Sequence, residues 1–112
     1  MQIRSKIWLE VDGEPVLGSG RQALLRGIEE FGSINKAAKN INISYRKALG
    51  YISSMEQRTG KIMVHRQAGG LNGGGAKLSE DARMLLKKFN KLERGVNKML
   101  DQKFAKVFDS QQ

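Results

Sequence analysis

Apolar and polar residues alternate from Ile3 to Val11, with Ile3, Ile7, Leu9 and Val11 set against Arg4, Lys6 and Glu10. A period of two predicts a strand. Asp12-Gly13-Glu14-Pro15 follows as a turn, Asp-Gly being the strongest short hairpin signal, and Val16-Leu17 begins a short return strand that Gly18-Ser19-Gly20 ends. From Gly20 the period changes. Ala23, Leu24, Leu25, Ile28 and Phe31 fall at helical spacing, and Gly32 stops that helix. Ser33 is placed to cap a second, short helix through Ile34, Ala37, Ala38 and Ile41, and Asn40-Ile41-Asn42-Ile43 breaks its pattern. Ser44 then caps a third helix that runs to Thr59 and ends at Gly60. On this helix Tyr45, Ala48, Leu49, Ile52 and Met55 share one face, and Arg46, Lys47, Gly50, Ser53, Ser54 and Gln57 share the other.

Ile62–Arg66 reads as a strand, residues 68–75 as a glycine-rich loop, and Ala76-Lys77-Leu78 as a second strand. Ser79-Glu80-Asp81 caps a final helix of about thirty residues, with acids in the first turn to suit the helix dipole. Its apolar residues Ala82, Leu85, Phe89, Leu92, Val96 and Met99 step by alternating threes and fours. Leu100, Phe104, Val107 and Phe108 then shift the seam, as a stutter does in a coiled coil. A seam this long exceeds what so small a domain covers by itself. Leu85, Phe89, Leu92, Val96, Met99, Leu100 and Phe104 are therefore candidate contacts to a second copy, with the first half of the helix also open to cover from the hairpin of residues 3–17 and the helix of residues 20–31. The tail Asp109–Gln112 is expected to fray.

The length of 112 residues suits one domain. No apolar run approaches the roughly 20 residues of a membrane span, and the start of the chain lacks the apolar stretch of a signal peptide. With no cysteine and a single histidine, His65, neither a thiolate metal site nor a Cys-His catalytic pair can form. No cofactor or catalytic constellation is expected; Glu29-Glu30 and Glu80-Asp81 sit at helix ends, where solvation or capping explains them. Charge adds more. Residues 31–79 carry eight cations and one acid, Glu56, so this stretch holds +7 of the formal +9. A charge so concentrated raises a local positive potential, and polyanions are the fitting partner.

The element order is that of a winged helix-turn-helix, with Ala37-Ala38 small enough for a close helix crossing. In this motif the first turn of the recognition helix reaches base edges, while phosphates meet helix N-termini. Ser33, Lys36, Ser44, Tyr45, Arg46 and Lys47 are thus candidate DNA contacts. In the wing, Arg66, Gly70, Asn72, Gly73, Gly74, Gly75 and Lys77 join them, the glycines letting backbone lie close to phosphates. Two decoys are set aside. The loop nearly matches a P-loop, but Ala76 stands where that motif needs Lys. Gly18-Ser19-Gly20-Arg21-Gln22-Ala23 matches a dinucleotide fingerprint, yet no acid lies between Glu30 and Glu56 to hold a ribose. A flexible hairpin without a ligand remains open for the loop, and His65 is a wing-base contact or a structural residue.

Gly32-Ser33-Ile34-Asn35-Lys36-Ala37-Ala38, Ile43-Ser44-Tyr45-Arg46-Lys47-Ala48 and the run from Gly69-Gly70 through Gly73-Gly74-Gly75-Ala76 to Ser79 resemble the N-terminal DNA-binding domain of ModE-type molybdate-responsive transcription regulators. Ile7–Glu14 and Gly18–Arg21 are similar as well, and a more distant resemblance runs to LysR-type winged domains. The resemblance implies a cytoplasmic, prokaryotic, nucleoid-associated homodimer on a pseudo-palindromic operator, with Ser44–Lys47 in the major groove. Leu49-Gly50 stand where the family usually carries Trp-Asp, which leaves base preference there open. Full-length members continue into molybdate-binding domains, so oxyanion sensing is expected to be absent or supplied by a separate ligand-sensing protein. The rival from another class is a dimeric interaction module that binds an acidic protein through the basic face. The expected architecture is mostly α with small β hairpins. It comprises an N-terminal hairpin (1–18), a helix-turn-helix and wing (20–78) and a long C-terminal dimerisation helix (79–108), with no membrane contact.

Overall fold

The computed structural model describes residues 1–67 and 75–108. Strands β1 (Leu9–Val11) and β2 (Glu14–Leu17) form an antiparallel hairpin; helices α1 (Ser19–Phe31), α2 (Ile34–Asn40) and α3 (Tyr45–Thr59) follow. Strands β3 (Val64–Gln67) and β4 (Gly75–Leu78) make a second antiparallel hairpin, and helix α4 (Glu80–Phe108) ends the described chain. The arrangement is a winged helix-turn-helix with a long last helix.

The helix ends follow the capping chemistry legible in the sequence. Ser33 Oγ accepts the Lys36 amide at 3.1 Å, Ser44 Oγ accepts that of Lys47 at 3.0 Å, and Ser79 Oγ accepts that of Ala82 at 3.0 Å. Gly32 and Gly60 close α1 and α3 in the left-handed conformation, with φ of 65° and 71°. The first strand is shorter than its alternation predicts. Its partner β2 has four residues, and a bulge between Leu9 and Glu10 breaks the register, so no strand among the described residues pairs with residues 3–8. β2 takes in Glu14 and Pro15, as an edge strand can. β3 starts at Val64 rather than Ile62 because Glu56 reaches across from α3. Its Oε2 accepts the Met63 amide at 2.8 Å and the Val64 amide at 3.2 Å, holding the chain there out of the sheet.

One core is shared by every element: Leu17 from β2, Leu24, Leu25 and Ile28 from α1, Ala37 and Ala38 from α2, Met55 from α3, Leu78 from β4, and Ala82 and Phe89 from α4. Gly27 sets its tightest point. A Cβ there would lie 2.8 Å from Ala37 Cβ and 3.2 Å from Ala37 Cα. Two expectations change here. Phe89 is 1% exposed within a single chain and belongs to this domain's core rather than to a second copy, while Leu85, partly buried, packs against the same core. Tyr45, grouped with the apolar face of α3, is 45% exposed, because α3 has only begun at that point and its burial starts at Ala48.

Helix α4 is covered over its first half alone. Arg83 Nε bridges to Glu29 of α1 at 3.4 Å, and Ala82, Leu86 and Phe89 are buried. Further on, Leu92, Met99, Val107 and Phe108 are exposed, and the N-terminal segment touches the helix through Ser5 Oγ and Asn97 Oδ1 at 2.9 Å.

Gly27→Ala and Gly50→Ala are expected to move stability in opposite directions. Both glycines lie inside helices, where Ala gains about 1 kcal/mol. Nothing lies within 4 Å of a Cβ at Gly50, so that gain stands. At Gly27 overpacking costs about 1–3 kcal/mol and leaves a net loss. Urea unfolding of both variants checks the signs. Glu56→Ala leaves two amides without their acceptor and is expected to cost about 1–3 kcal/mol, with faster hydrogen exchange at Met63 and Val64.

Candidate nucleic-acid interface

The turn between α2 and α3 is built on backbone bonds. The amides of Ile41 and Ile43 donate to Ala38 O at 3.2 and 3.0 Å, that of Asn42 to Lys39 O at 3.1 Å, and Asn42 takes the left-handed conformation at φ 59°. This sends α3 off with its N-terminus in the open. Ser44, Tyr45, Arg46 and Lys47 are all exposed, and Lys36 is exposed on α2. The hydroxyls of Ser33 and Ser44 each accept one capping bond, which leaves a proton to donate to an anion and one further lone pair.

The second hairpin is stapled beside these helix ends. The Ala76 amide donates to Gly32 O, the left-handed residue closing α1, at 2.9 Å. At the hairpin's base the Ser79 amide donates to Met63 O at 2.9 Å, and Ser79 Oγ donates to Ile62 O at 2.6 Å. Helix cap and wing base thus share one serine. A Cβ on Gly75 would meet Gly32 O at 3.6 Å, ordinary contact, so the staple and not a steric limit holds this approach. The result is a groove lined by Ser33, Ile34 and Asn35 of α2, Tyr45 of α3, and Arg66, Gln67, Gly75 and Ala76 of the wing.

Ser33, Tyr45, Arg66 and Gly75 thus meet in one place, as the sequence led one to expect. Asn35 and Gln67 join them unforeseen, although Asn35 follows the Ser33 cap closely enough to have been flagged. Lys77 does not join them. The register pairs His65 with Lys77 and Arg66 with Ala76, and side chains alternate across a sheet. Arg66 therefore lies on the face shared with buried Val64 and Leu78, while Lys77 stands beside His65 on the outer face. The two wing cations do not act on one surface. Gly70, Asn72, Gly73 and Gly74 fall outside the described residues.

Glu56, the one acid in the basic stretch, has its carboxylate bound to the Met63 and Val64 amides on the far end of α3 from Tyr45. The recorded ion pairs are Arg58–Glu14, Lys61–Asp81 and two from Arg83, to Glu29 and Glu80. Among the described residues, Lys36, Arg46, Lys47, Arg66 and Lys77 have no carboxylate partner. What the arrangement can do chemically is offer exposed cations and donors, on one protruding helix end, to an extended anion. No cluster of metal-ligating side chains occurs among the described residues, and no described helix is long and apolar enough to cross a membrane.

Comparison with known proteins agrees with this geometry. The transcriptional regulator ModE of Haemophilus influenzae is 40% identical over 74 residues, covering 66% of this chain and 29% of that protein. The molybdenum transport protein ModE of Azotobacter vinelandii is 35% identical over 97 residues, covering 87% of this chain and 36% of that protein. The DNA-binding transcriptional dual regulator ModE of Escherichia coli K12 is 33% identical over 101 residues, covering 90% of this chain and 38% of that protein. No family model matches the chain. Among solved structures, the CbnR DNA-binding domain in its DNA complex superposes with a TM-score of 0.58 at 15% identity, over 79% of this chain and 95% of that one. ArgP from Mycobacterium tuberculosis gives 0.55 at 20% identity, over 75% of this chain and 30% of that one. At these identities the structures establish the winged-helix fold. The chain spans about a third of the length of the curated relatives it matches, and over that span its sequence is similar to the ModE-type transcriptional regulators.

Proposed function

We propose that this chain binds double-stranded DNA sequence-specifically and regulates transcription as a homodimer. The observation that carries the reading is the exposed first turn of α3, with Tyr45, Arg46 and Lys47 bare of carboxylates and the wing groove at its side. A helix with its side chains is about 10–12 Å across, and the major groove is about 12 Å wide, so such an end fits the groove with base edges ahead of it. The names of the relatives support regulation.

The homodimer rests on α4. Leu92 is 49%, Met99 47% and Val107 70% exposed, and Phe104 stacks on Phe108 with ring centroids 4.8 Å apart. Half-buried Val96 and Leu100 continue the stripe. Among the described residues nothing lies within 4 Å of a Cβ at Gly95, which leaves room for a second helix to pass close by. A two-fold pair of such helices would set two recognition helices on half-sites about 34–36 Å apart.

Arg46→Ala is expected to reduce the ratio of specific to scrambled-duplex affinity, because a bidentate Arg–guanine contact discriminates by about 1–3 kcal/mol. Arg66→Ala at the wing is expected to weaken both duplexes alike and to flatten the salt dependence by about one unit per protomer. Titration at two salt concentrations separates the variants. Absence of DNA binding by the unmodified chain at low salt, with binding to an acidic protein instead, would favour the interaction-module reading. Met99→Glu is expected to give a monomer by sedimentation; an unchanged dimer would move the interface off α4.

A further inference from the structure

The fingerprint-like run at residues 18–23 finds no nucleotide fold around it, yet it is not idle. Gly18 ends the first hairpin, and Arg21 rises from the first turn of α1 onto α3. Its guanidinium lies over the Tyr51 ring, 4.4 Å from the centroid, and Lys47 Nζ lies 5.8 Å from the same centroid. Two cations thus share one ring. Arg21 Nη2 reaches Ser54 Oγ at only 3.4 Å, and its Nε is buried with no hydrogen-bond partner. Arg58, close enough to repel it, is answered by Glu14 at 3.4 Å, whereas Arg21 has no carboxylate among the described residues. Burial first, and the Arg58 charge after it, lower the Arg21 pKa from its ordinary value, while Tyr51 opposes them. At neutral pH the group stays charged, so a cation is held half-buried and unanswered. That arrangement favours an anion.

The position says which anion. Lys47, Tyr51 and Ser54 follow one another at four and three residues, one stripe of α3. At about 100° per residue this stripe begins about 160° around the helix from Tyr45, which faces the wing groove. A helix lying in the major groove has a phosphate strand along each flank. The wing serves one flank. We infer that Arg21, Lys47 and Tyr51 form a clamp for a backbone phosphate on the other, with Trp8 beside it in a cleft that Lys6, Gly18 and Tyr51 also line. The side chains, not the helix end, carry the charge. Tyr51 is the positioning residue: its ring holds both cations in place, and its own hydroxyl contacts no base. This inference rests on the DNA-binding reading above and adds α1 to the footprint.

Two measurements on the full chain test it. Arg21→Gln is expected to weaken specific and scrambled duplexes by the same factor and to flatten the salt dependence by about one unit per protomer. Lys88→Gln, exposed on α4, serves as the control and is expected to change the slope far less. An unchanged slope in Arg21→Gln, or an equal loss in the control, overturns the clamp while leaving the DNA-binding reading intact. Trp8, the single tryptophan and 52% exposed, reports on the unmodified protein should Arg21→Gln fail to fold. Saturating duplex DNA is expected to shield Trp8 from acrylamide quenching, and inorganic phosphate at matched ionic strength is not. Trp8 left equally accessible in the saturated complex overturns the clamp, and so does equal shielding by phosphate alone. Failure of the unmodified chain to bind DNA at all would remove both readings together.

Discussion

The close crossing of α1 and α2 at Gly27 and Ala37 is the contact on which the rest of the molecule depends. With 2.8 Å between an imagined Cβ and Ala37 Cβ, no larger residue fits, and the helix axes are held together at that point. Interiors packed at this density transmit displacement rather than absorbing it. The crossing fixes where α1 ends, and so where the Gly32 carbonyl lies to receive the Ala76 amide. It also fixes the direction of α2, and through the Ala38 carbonyl, which receives both Ile41 and Ile43, the direction of α3. Recognition-helix end and wing are placed by the same glycine.

Electrostatics then follows from where the acids are used. Every carboxylate recorded in an ion pair answers a cation away from the α3 end: Glu14 with Arg58, Glu29 and Glu80 with Arg83, Asp81 with Lys61. Glu56 caps the approach to β3. These pairs are at least partly exposed, and each contributes little to stability in water. Their larger effect is one of placement, since they leave Arg46 and Lys47 at the start of α3 and Arg66 on the wing without a carboxylate partner among the described residues. A field of one sign over a protruding helix steers an extended polyanion toward it.

Helix α4 divides into two roles along its length. Ala82, Leu86 and Phe89 complete the domain's core, while Leu92, Met99, Val107 and Phe108 further on are exposed, with Ser5 reaching the helix at Asn97. The handover falls where the body of the domain ends, about three turns into the helix. A single apolar seam in the sequence thus serves two different surfaces.

The sequence by itself determined the local events. Caps at Ser33, Ser44 and Ser79, stops at Gly32 and Gly60, the order of helices and hairpins and the basic centre of the chain all depend on side chains acting within a few residues of themselves. The exposed Arg46-Lys47 pair was legible for the same reason. What only the tertiary structure decided is what distant segments do to one another. Strand lengths came from the four residues of β2 and the reach of Glu56; Phe89 went to the core that the hairpins and the first three helices build with α4; Arg66 and Lys77 were parted by a register that no spacing along the chain reveals. Gly27 passed unnoticed because a glycine inside a helix looks only unfavourable until the neighbour that requires it is in view. Arg21 looked like part of an incomplete dinucleotide fingerprint until α3 brought Tyr51 beneath it, since the meeting of residues thirty positions apart is written in the packing and not in the order of the chain.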